Sequence, residues 1–458
     1  MSDRSVVPTQ TWALAGAITL VGLFHIYLFY PGTMDWDSAG IAKMAANGEY
    51  TDWFLPTYIF LWSVTDRIAP NPGVIWLLQE PLLLGGAFML GLSLLRLGRS
   101  TLSVALVAGL ILPPIAYIYH EATKDTMMGA ALLCLFGLCA LLLAKPPIGA
   151  QRGIAFAGAI ALAALALATR QNAVFAVLPA LSLAVFAIWP HLGWGALCRA
   201  LIVLVLVVAG LTAFSHYILK PLWRPAITSL ITFDVAGMTT FGDKSISLSD
   251  GSKETMAALD RCYDPGFWDS LVHNDCASDF VGSIWNLYVN DSGDTLHKWL
   301  TAIVSNPEAY AEHRLKYFGK LIRIDCGKCD ETGVSFAEAH NPDFAPVKAG
   351  PLAIAYERFG SEFLQIFRPW IVLIVAILMA VWSGLRLILK DTDAENMLWF
   401  MLGSTVSAIL YVSAYLFIGV ADYFRYLYWL YSAVFIAAVA LPTSSCSTLL
   451  MRKFKAVN

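Results

Sequence analysis

The stretch YPGTMDWDSAG, residues 30–40, sets two carboxylates, Asp35 and Asp37, one residue apart, directly after the first long apolar run of the chain, 12–30. A carboxylate there can take a proton from a hydroxyl as a general base. Two together can also help hold a divalent cation, though two alone do not make a site. Three cations stand in equally short polar stretches between apolar runs: Lys124 in YHEATKD (119–125), Arg170 in TRQN (169–172) and Arg425 in VADYFRY (420–426). Arginine binds phosphate oxygens through two parallel hydrogen bonds, and lysine as a point charge. Each residue also has a plainer role. An aspartate at a helix start is commonly a cap, and long basic chains anchor at lipid headgroups.

The elements that must carry these residues are apolar helices. The chain of 458 residues is 58% hydrophobic and 14% charged, with a mean hydropathy of +0.64. A soluble domain carries about 25% charge, so the composition predicts an integral membrane protein. Spans need roughly 20 apolar residues, and ten are expected: 12–30, 73–95, 101–118, 126–144, 153–169, 173–190, 200–219, 366–385, 395–418 and 424–441. Lipid leaves no partner for an open backbone, so these are helices. The first run lacks a small-residue cleavage site and reads as an anchor that stays. With the N-terminus inside, the short inner segments carry Arg4, Arg96, Arg99, Lys145, Arg152, Arg199, Arg386, Lys390, Arg452, Lys453 and Lys455. The short outer loops carry only Lys43, Arg67, Lys124, Arg170 and Arg425. The excess of cations marks the cytosolic side. Both termini are therefore expected inside, with all four polar stretches outside. Ionisable residues at membrane depth usually mark function, so the four stretches are expected to converge.

Three parts follow: an N-terminal membrane module (1–220) whose first outer loop is 31–72, an outer region (221–365), and a C-terminal membrane module with a cytosolic tail (366–458). In the first loop, Asp37-Ser38 is expected to cap a short helix ending near Gly48. A second helix over FLPTYIFLWSVTDRIAP sets Phe54, Tyr58, Leu61, Trp62 and Thr65 on one face, the pattern of a segment lying in the interface. The outer region is too long for a bare loop, and its acidic side chains outnumber basic ones 20 to 12. Cys262, Cys276, Cys326 and Cys329 fall in it and are disulfide candidates. Cys134, Cys139, Cys198 and Cys446 read as small apolar residues. CGKC (Cys326–Cys329) lacks the surroundings of a redox pair.

The remaining polar residues are read as supports. Glu121 or Asp125 is expected to pair with Lys124. His120 reads as an interfacial residue, because HExxH is absent where position 124 is Lys. Glu80 either faces the cavity or pairs with a neighbour. Asp234 is a candidate for the site rim, and His313, Arg314 and Lys316 read as a solvated or headgroup-facing helix edge. Net charge of −3 and the lack of a basic-aromatic patch exclude nucleic acid. No glycine loop for a nucleotide phosphate appears.

The pattern YPGTMDWDS…GEYTDW…P…LW, the KD opening span four, the TRQN turn and the FRYLYWL opening the last span resemble the membrane glycosyltransferases of the C superfamily (GT-C fold), in particular bacterial members that use polyprenyl-phosphate sugars. The likeness covers most of residues 24–175 and 420–430. It implies an all-α polytopic fold with interfacial helices in the first outer loop and an active site facing the periplasm of a bacterial inner membrane. It also implies transfer of a sugar from a polyprenyl phosphate to an envelope glycan, lipid or protein. Carried onto this chain, it gives Asp37, with Asp35, as catalytic residues and Arg170, Lys124 and Arg425 as donor-phosphate ligands. Glu121, Asp125, His120, Tyr426 and Glu80 support them. Some relatives hold a divalent metal with this acidic motif, so Mg or Mn at Asp35 and Asp37 is an open alternative. A polymerase or ligase of lipid-linked polysaccharide is the competing enzyme class. A transporter is the other alternative, though one would show repeats and midplane charges.

Overall fold

The computed structural model describes residues 8–69, 72–112, 115–193, 195–242, 248, 253–324, 350–389 and 395–441. Among these the chain is helical throughout, with isolated bridges in place of strands. Among the described residues eight helices are long and apolar enough to cross a membrane, so the protein is a polytopic helical membrane protein.

The first is α1 (Pro8–Phe29). Two short helices follow it, as the first loop predicts: α2 (Trp36–Asn47) and α3 (Pro56–Asp66). The cap of α2 is Asp35 rather than Asp37. Its Oδ1 accepts from the Ser38 amide at 2.7 Å, which leaves Asp37 in the first turn. Gly48 ends the helix at φ +69°, a left-handed conformation that favours glycine. On α3, Tyr58, Trp62 and Thr65 are buried, as the expected face requires, while Phe60 and Val64 are exposed.

Next come α4 (Gly73–Arg96), α5 (Ser100–Ile111), α6 (Ile115–Ile118) and α7 (Lys124–Ala144). α4 and α7 cross closely because small residues meet there. A Cβ on Gly86 would come within 2.6 Å of the Leu133 carbonyl, and one on Gly137 would strike the Gly86 carbonyl. Thr123 caps α7 and exchanges hydrogen bonds with Thr126. The expected third span is thus α5 and a single turn, α6. Residues 115–123 are buried, and backbone outside a long helix is tolerated at membrane depth where protein covers it.

The bundle continues with α8 (Ala150–Thr169), α9 (Val174–Ile188) and α10 (Gly195–Ala213), the last running on through a wider turn at Phe214–Leu219. Then come α11 (Ile227–Phe241), α12 (Lys253–Cys262), α13 (Ser278–Asn290), α14 (Ser292–Ser305), α15 (Pro307–Leu321) and α16 (Pro351–Ile366). Helices α11 to α14 share a small core built on Ile231, Val235, Leu259, Leu271, Phe280 and Ile284. A disulfide joins Cys262 to Cys276 across this core. Cys326 and Cys329 lie outside the described residues. The bundle closes with α17 (Pro369–Ile388), α18 (Glu395–Ile418) and α19 (Tyr428–Val439). With the turn Phe424–Leu427 before it, α19 fills the expected tenth span but is shorter than the eight long helices.

Two expectations for the 221–365 region are overturned. His313 and Arg314 are not a solvated edge; they are buried in α15 against α11. Asp234 is not at a rim. It is fully buried, pairs with Arg314, lies 3.2 Å from His313 Nε2 and accepts from Trp299 Nε1 at 3.1 Å. A charge buried at that depth stays only with such partners. Lys316 alone of the three reaches outward, to Glu312 at 2.9 Å.

Candidate active site

Four loops close on one another at a single face of the bundle. Residues 31–35 run beside 119–123: the Thr33 amide donates to the His120 carbonyl at 3.2 Å, and the Ala122 amide donates to the Thr33 carbonyl at 2.7 Å. From α4, Gln79 Nε2 donates to the carbonyls of Tyr119 and Glu121, both at 3.0 Å. Trp76 Nε1 donates to the Tyr119 carbonyl as well, at 3.1 Å. These bonds satisfy buried backbone that no helix serves, and they hold Asp35 and Asp37 against the start of α7.

The third loop ends α8 at Arg170. The fourth, 419–423, is clamped from outside the bundle. Arg314 Nη1 donates to the Gly419 carbonyl at 2.6 Å, the Tyr317 hydroxyl to the Ala421 carbonyl at 2.9 Å, and the Trp268 amide to the Val420 carbonyl at 2.9 Å. The clamp delivers Arg425 into the cluster.

There, Arg425 meets Asp35 Oδ2 and donates through Nη2 to Asp37 Oδ2 at 2.6 Å. Lys124 Nζ donates to the same Asp37 oxygen at 2.9 Å. Asp125 pairs with Arg170 and lies 3.8 Å from Arg425 Nε. The expected Lys124–Asp125 pair therefore does not form; each reaches across to another loop, because successive residues on a helix point apart. Arg170 also donates to Asn172 Oδ1 at 3.2 Å. The guanidinium lies 4.6 Å over the Tyr426 ring, which stacks on Tyr415 at 5.0 Å. Arg425 lies 4.6 Å over Tyr423, and Lys124 4.8 Å over Phe54. Such cation–ring contacts hold basic heads in place while leaving their hydrogen-bond donors free to turn to a ligand.

Exposure falls steeply through the cluster. The Asp37 side chain is 30% accessible, Lys124 17% and Asp125 1%. Water and a ligand thus meet Asp37 first, with Asp125 and Arg170 beneath. Three carboxylates face three cations. Asp35 is engaged by the α2 cap and by Arg425, and Asp37 by two cations. Among the described residues no group of three potential ligands is suited to a metal ion.

Asp35, Asp37, Lys124, Asp125, Arg170, Arg425 and Tyr426 are therefore together, whereas three expected supports are not. Glu121 accepts from the Tyr428 hydroxyl at 2.7 Å, pinning the loop to α19. His120 is not interfacial but fully buried, stacked on Tyr117 at 4.9 Å. Glu80 takes the second of its two expected options and pairs with His25 Nδ1 at 3.0 Å. It also lines an apolar groove of about 530 Å³ between α1 and α4, with Ile18, Gly22, Ile26, Leu77 and Leu84.

Asp269 was not among the expected residues. It lies half-buried in the turn Trp268–Leu271. Burial, and then the negative charge of Asp37, push its carboxyl up to about 6, against a side-chain hydrogen bond from Trp268. The available signal was a Trp-Asp pair inside a segment bracketed by cysteines, CYDPGFWDSLVHNDC. No family model, no curated protein and no solved structure matches the chain.

Proposed function

We propose that the protein is an integral membrane glycosyltransferase that moves a sugar from a polyprenyl phosphate to an envelope acceptor at its exoplasmic face. One observation carries this reading: Asp35, Asp37, Lys124, Asp125, Arg170 and Arg425, drawn from four separate loops, meet at one end of a helical bundle with Asp37 outermost. Its resemblance to GT-C enzymes in sequence supplies the reaction class.

The chemistry uses each part. An acceptor hydroxyl attacks the sugar C1 and gives its proton to Asp37. The C1–O bond to phosphate breaks, and the electron pair leaves with the polyprenyl phosphate. Developing charge on that phosphate meets Arg170, Lys124 and Arg425, the kind of fixed electrostatic stabilisation that lowers such barriers most. Before donor arrives, Lys124 and Arg425 are bound to Asp37. Phosphate oxygens compete for both cations, and Asp37 is thereby released to take the proton. The groove between α1 and α4 is mostly apolar and is lined as far as Ile26, in the last turn of α1, which suits an isoprenoid tail.

The test is transfer of a radiolabelled sugar from synthetic polyprenyl-phosphate donors by the purified chain in nanodiscs, paired with lipid extracts from a deletion strain. Transfer, with the sugar-loaded carrier accumulating in the deletion strain, is expected. A strain that instead accumulates untransferred diphosphate-linked oligosaccharide would favour the polymerase or ligase reading.

A further inference from the structure

We propose that Trp53, Trp268 and Asp269 form the subsite that receives a carbohydrate acceptor beside Asp37. The proposal rests on the glycosyl-transfer reading for the role of the sugar, but its geometry stands apart from the phosphate-facing cations.

The segment between Cys262 and Cys276 reaches over to the site loop and docks there by backbone. The Trp268 amide donates to the Val420 carbonyl at 2.9 Å, and Phe267 and Ala421 form an antiparallel bridge. The Phe267 ring meets Tyr423 edge-on at 5.4 Å. The same loop carries Arg425 a few residues later, so the position of Trp268 and Asp269 is tied to the cluster. From the other side comes Trp53, fixed because Thr51 bridges to Leu222 and the Asp52 carboxylate accepts from the Arg224 amide. Its ring lies 5.8 Å from that of Trp268, tilted by 45°. Both indoles are only partly buried, which leaves ring surface open to a ligand.

Sugars present apolar C–H faces and a rim of hydroxyl donors. Half-open indoles suit the faces, and a carboxylate, which only accepts, suits the hydroxyls. Ligand sites commonly join aromatic walls to a few polar groups in this way. Asp269 also weighs against the fold. Burial and Asp37 raise its carboxyl to about 6, so the unfolded chain loses this proton at lower pH than the native chain does. Stability therefore falls as pH rises through that range. At neutral pH the carboxylate is carried at a cost to stability.

The test uses the full chain in nanodiscs and, as probe, oligosaccharides released from the host envelope by mild acid. Wild type is expected to bind this pool. Trp268→Ala and Asp269→Asn are expected to weaken binding roughly tenfold, and Trp268→Phe, which keeps a ring, to restore most of it. Asp269→Asn should melt at or above the wild-type temperature at pH 7.5. In the transfer assay the weakened variants should raise acceptor KM by about the same factor while donor KM holds within about twofold. Wild-type binding by both variants overturns the subsite, as does a parallel rise in donor KM or a lower melting temperature for Asp269→Asn. Oligosaccharide binding that depends on Trp268, without transfer from any polyprenyl-phosphate donor, would remove the transferase reading and keep the subsite. Transfer by a wild type that binds no oligosaccharide would do the reverse.

Discussion

Two clusters in this protein each set an aspartate between two basic side chains and behave oppositely. In the first, Asp37, Lys124 and Arg425 meet where water reaches. In the second, Asp234, His313 and Arg314 meet with essentially no exposure. Around Asp234 the basic partners, His313 and Arg314, are themselves buried; Trp299 donates to it, Tyr263 meets His313 at 2.6 Å, and Arg314 also holds the Gly419 carbonyl. Nothing from outside can enter without breaking that set. At Asp37 the partners are two side chains from different elements, Lys124 and Arg425, both long and able to swing toward an incoming anion. Burial of paired charge locks a structure, whereas partial exposure leaves the charges available. The second cluster also serves the first, because the loop that Arg314 clamps is the one that delivers Arg425.

The sharpest way to break the comparison is to neutralise each aspartate. Asp37→Asn is expected to lower turnover by about 10²- to 10⁴-fold, roughly 3–5 kcal/mol of barrier, with an unchanged melting temperature. Asp234→Ala should do the opposite, lowering stability by about 3–5 kcal/mol because it leaves Arg314 buried and unpaired. Denaturation and transfer measured on both variants decide it; unfolding of Asp37→Asn beside a stable Asp234→Ala would invert the assignment. Arg170→Ala comes next. It is expected to raise donor KM as well as slow transfer, because the phosphate is bound in the ground state too, and an unchanged donor KM would reduce Arg170 to a partner of Asp125.

The smallest effect is a pH dependence of the sealed cluster. Burial holds His313 below the ordinary histidine range, with Arg314 acting in the same direction and the hydrogen bond to Asp234 opposing it. The unfolded chain then takes up the proton first as pH falls. Stability from this group is full above about pH 6.5 and declines below it. Melting curves between pH 7.5 and 5 should show a shallower decline for His313→Gln than for wild type. Equal slopes would show that the pH response comes from elsewhere.

How much of this was legible in the sequence depends on how far apart the interacting residues lie. The helix over 36–47 was readable because its cap and its terminating glycine are local, although the capping carboxylate was placed two residues too late. The buried face of α3 followed from helical spacing at Tyr58, Trp62 and Thr65. By contrast, amphipathic spacing in α15 shows that a face exists and not what covers it. His313 and Arg314 therefore read as solvated until α11 was seen against them. The third and tenth spans were drawn at full length because apolar composition does not record where a helix stops beneath a covering loop. Asp269 was missed for a similar reason: its meaning comes from the nearness of Asp37, and no short motif encodes that.

By itself, then, the sequence determined a helical membrane protein with its unusual charges at the ends of apolar runs, since hydrophobic burial and backbone satisfaction act over the length of one span. Only the tertiary structure decided which charges meet. The pairs of Arg425 with Asp35 and Asp37, of Lys124 with Asp37 and of Arg170 with Asp125 join residues tens to hundreds of positions apart. Coulombic attraction over a few ångströms has no signature in residue order. It is set by the close crossing of α4 with α7 and by the clamp that brings the 419–423 loop over the bundle.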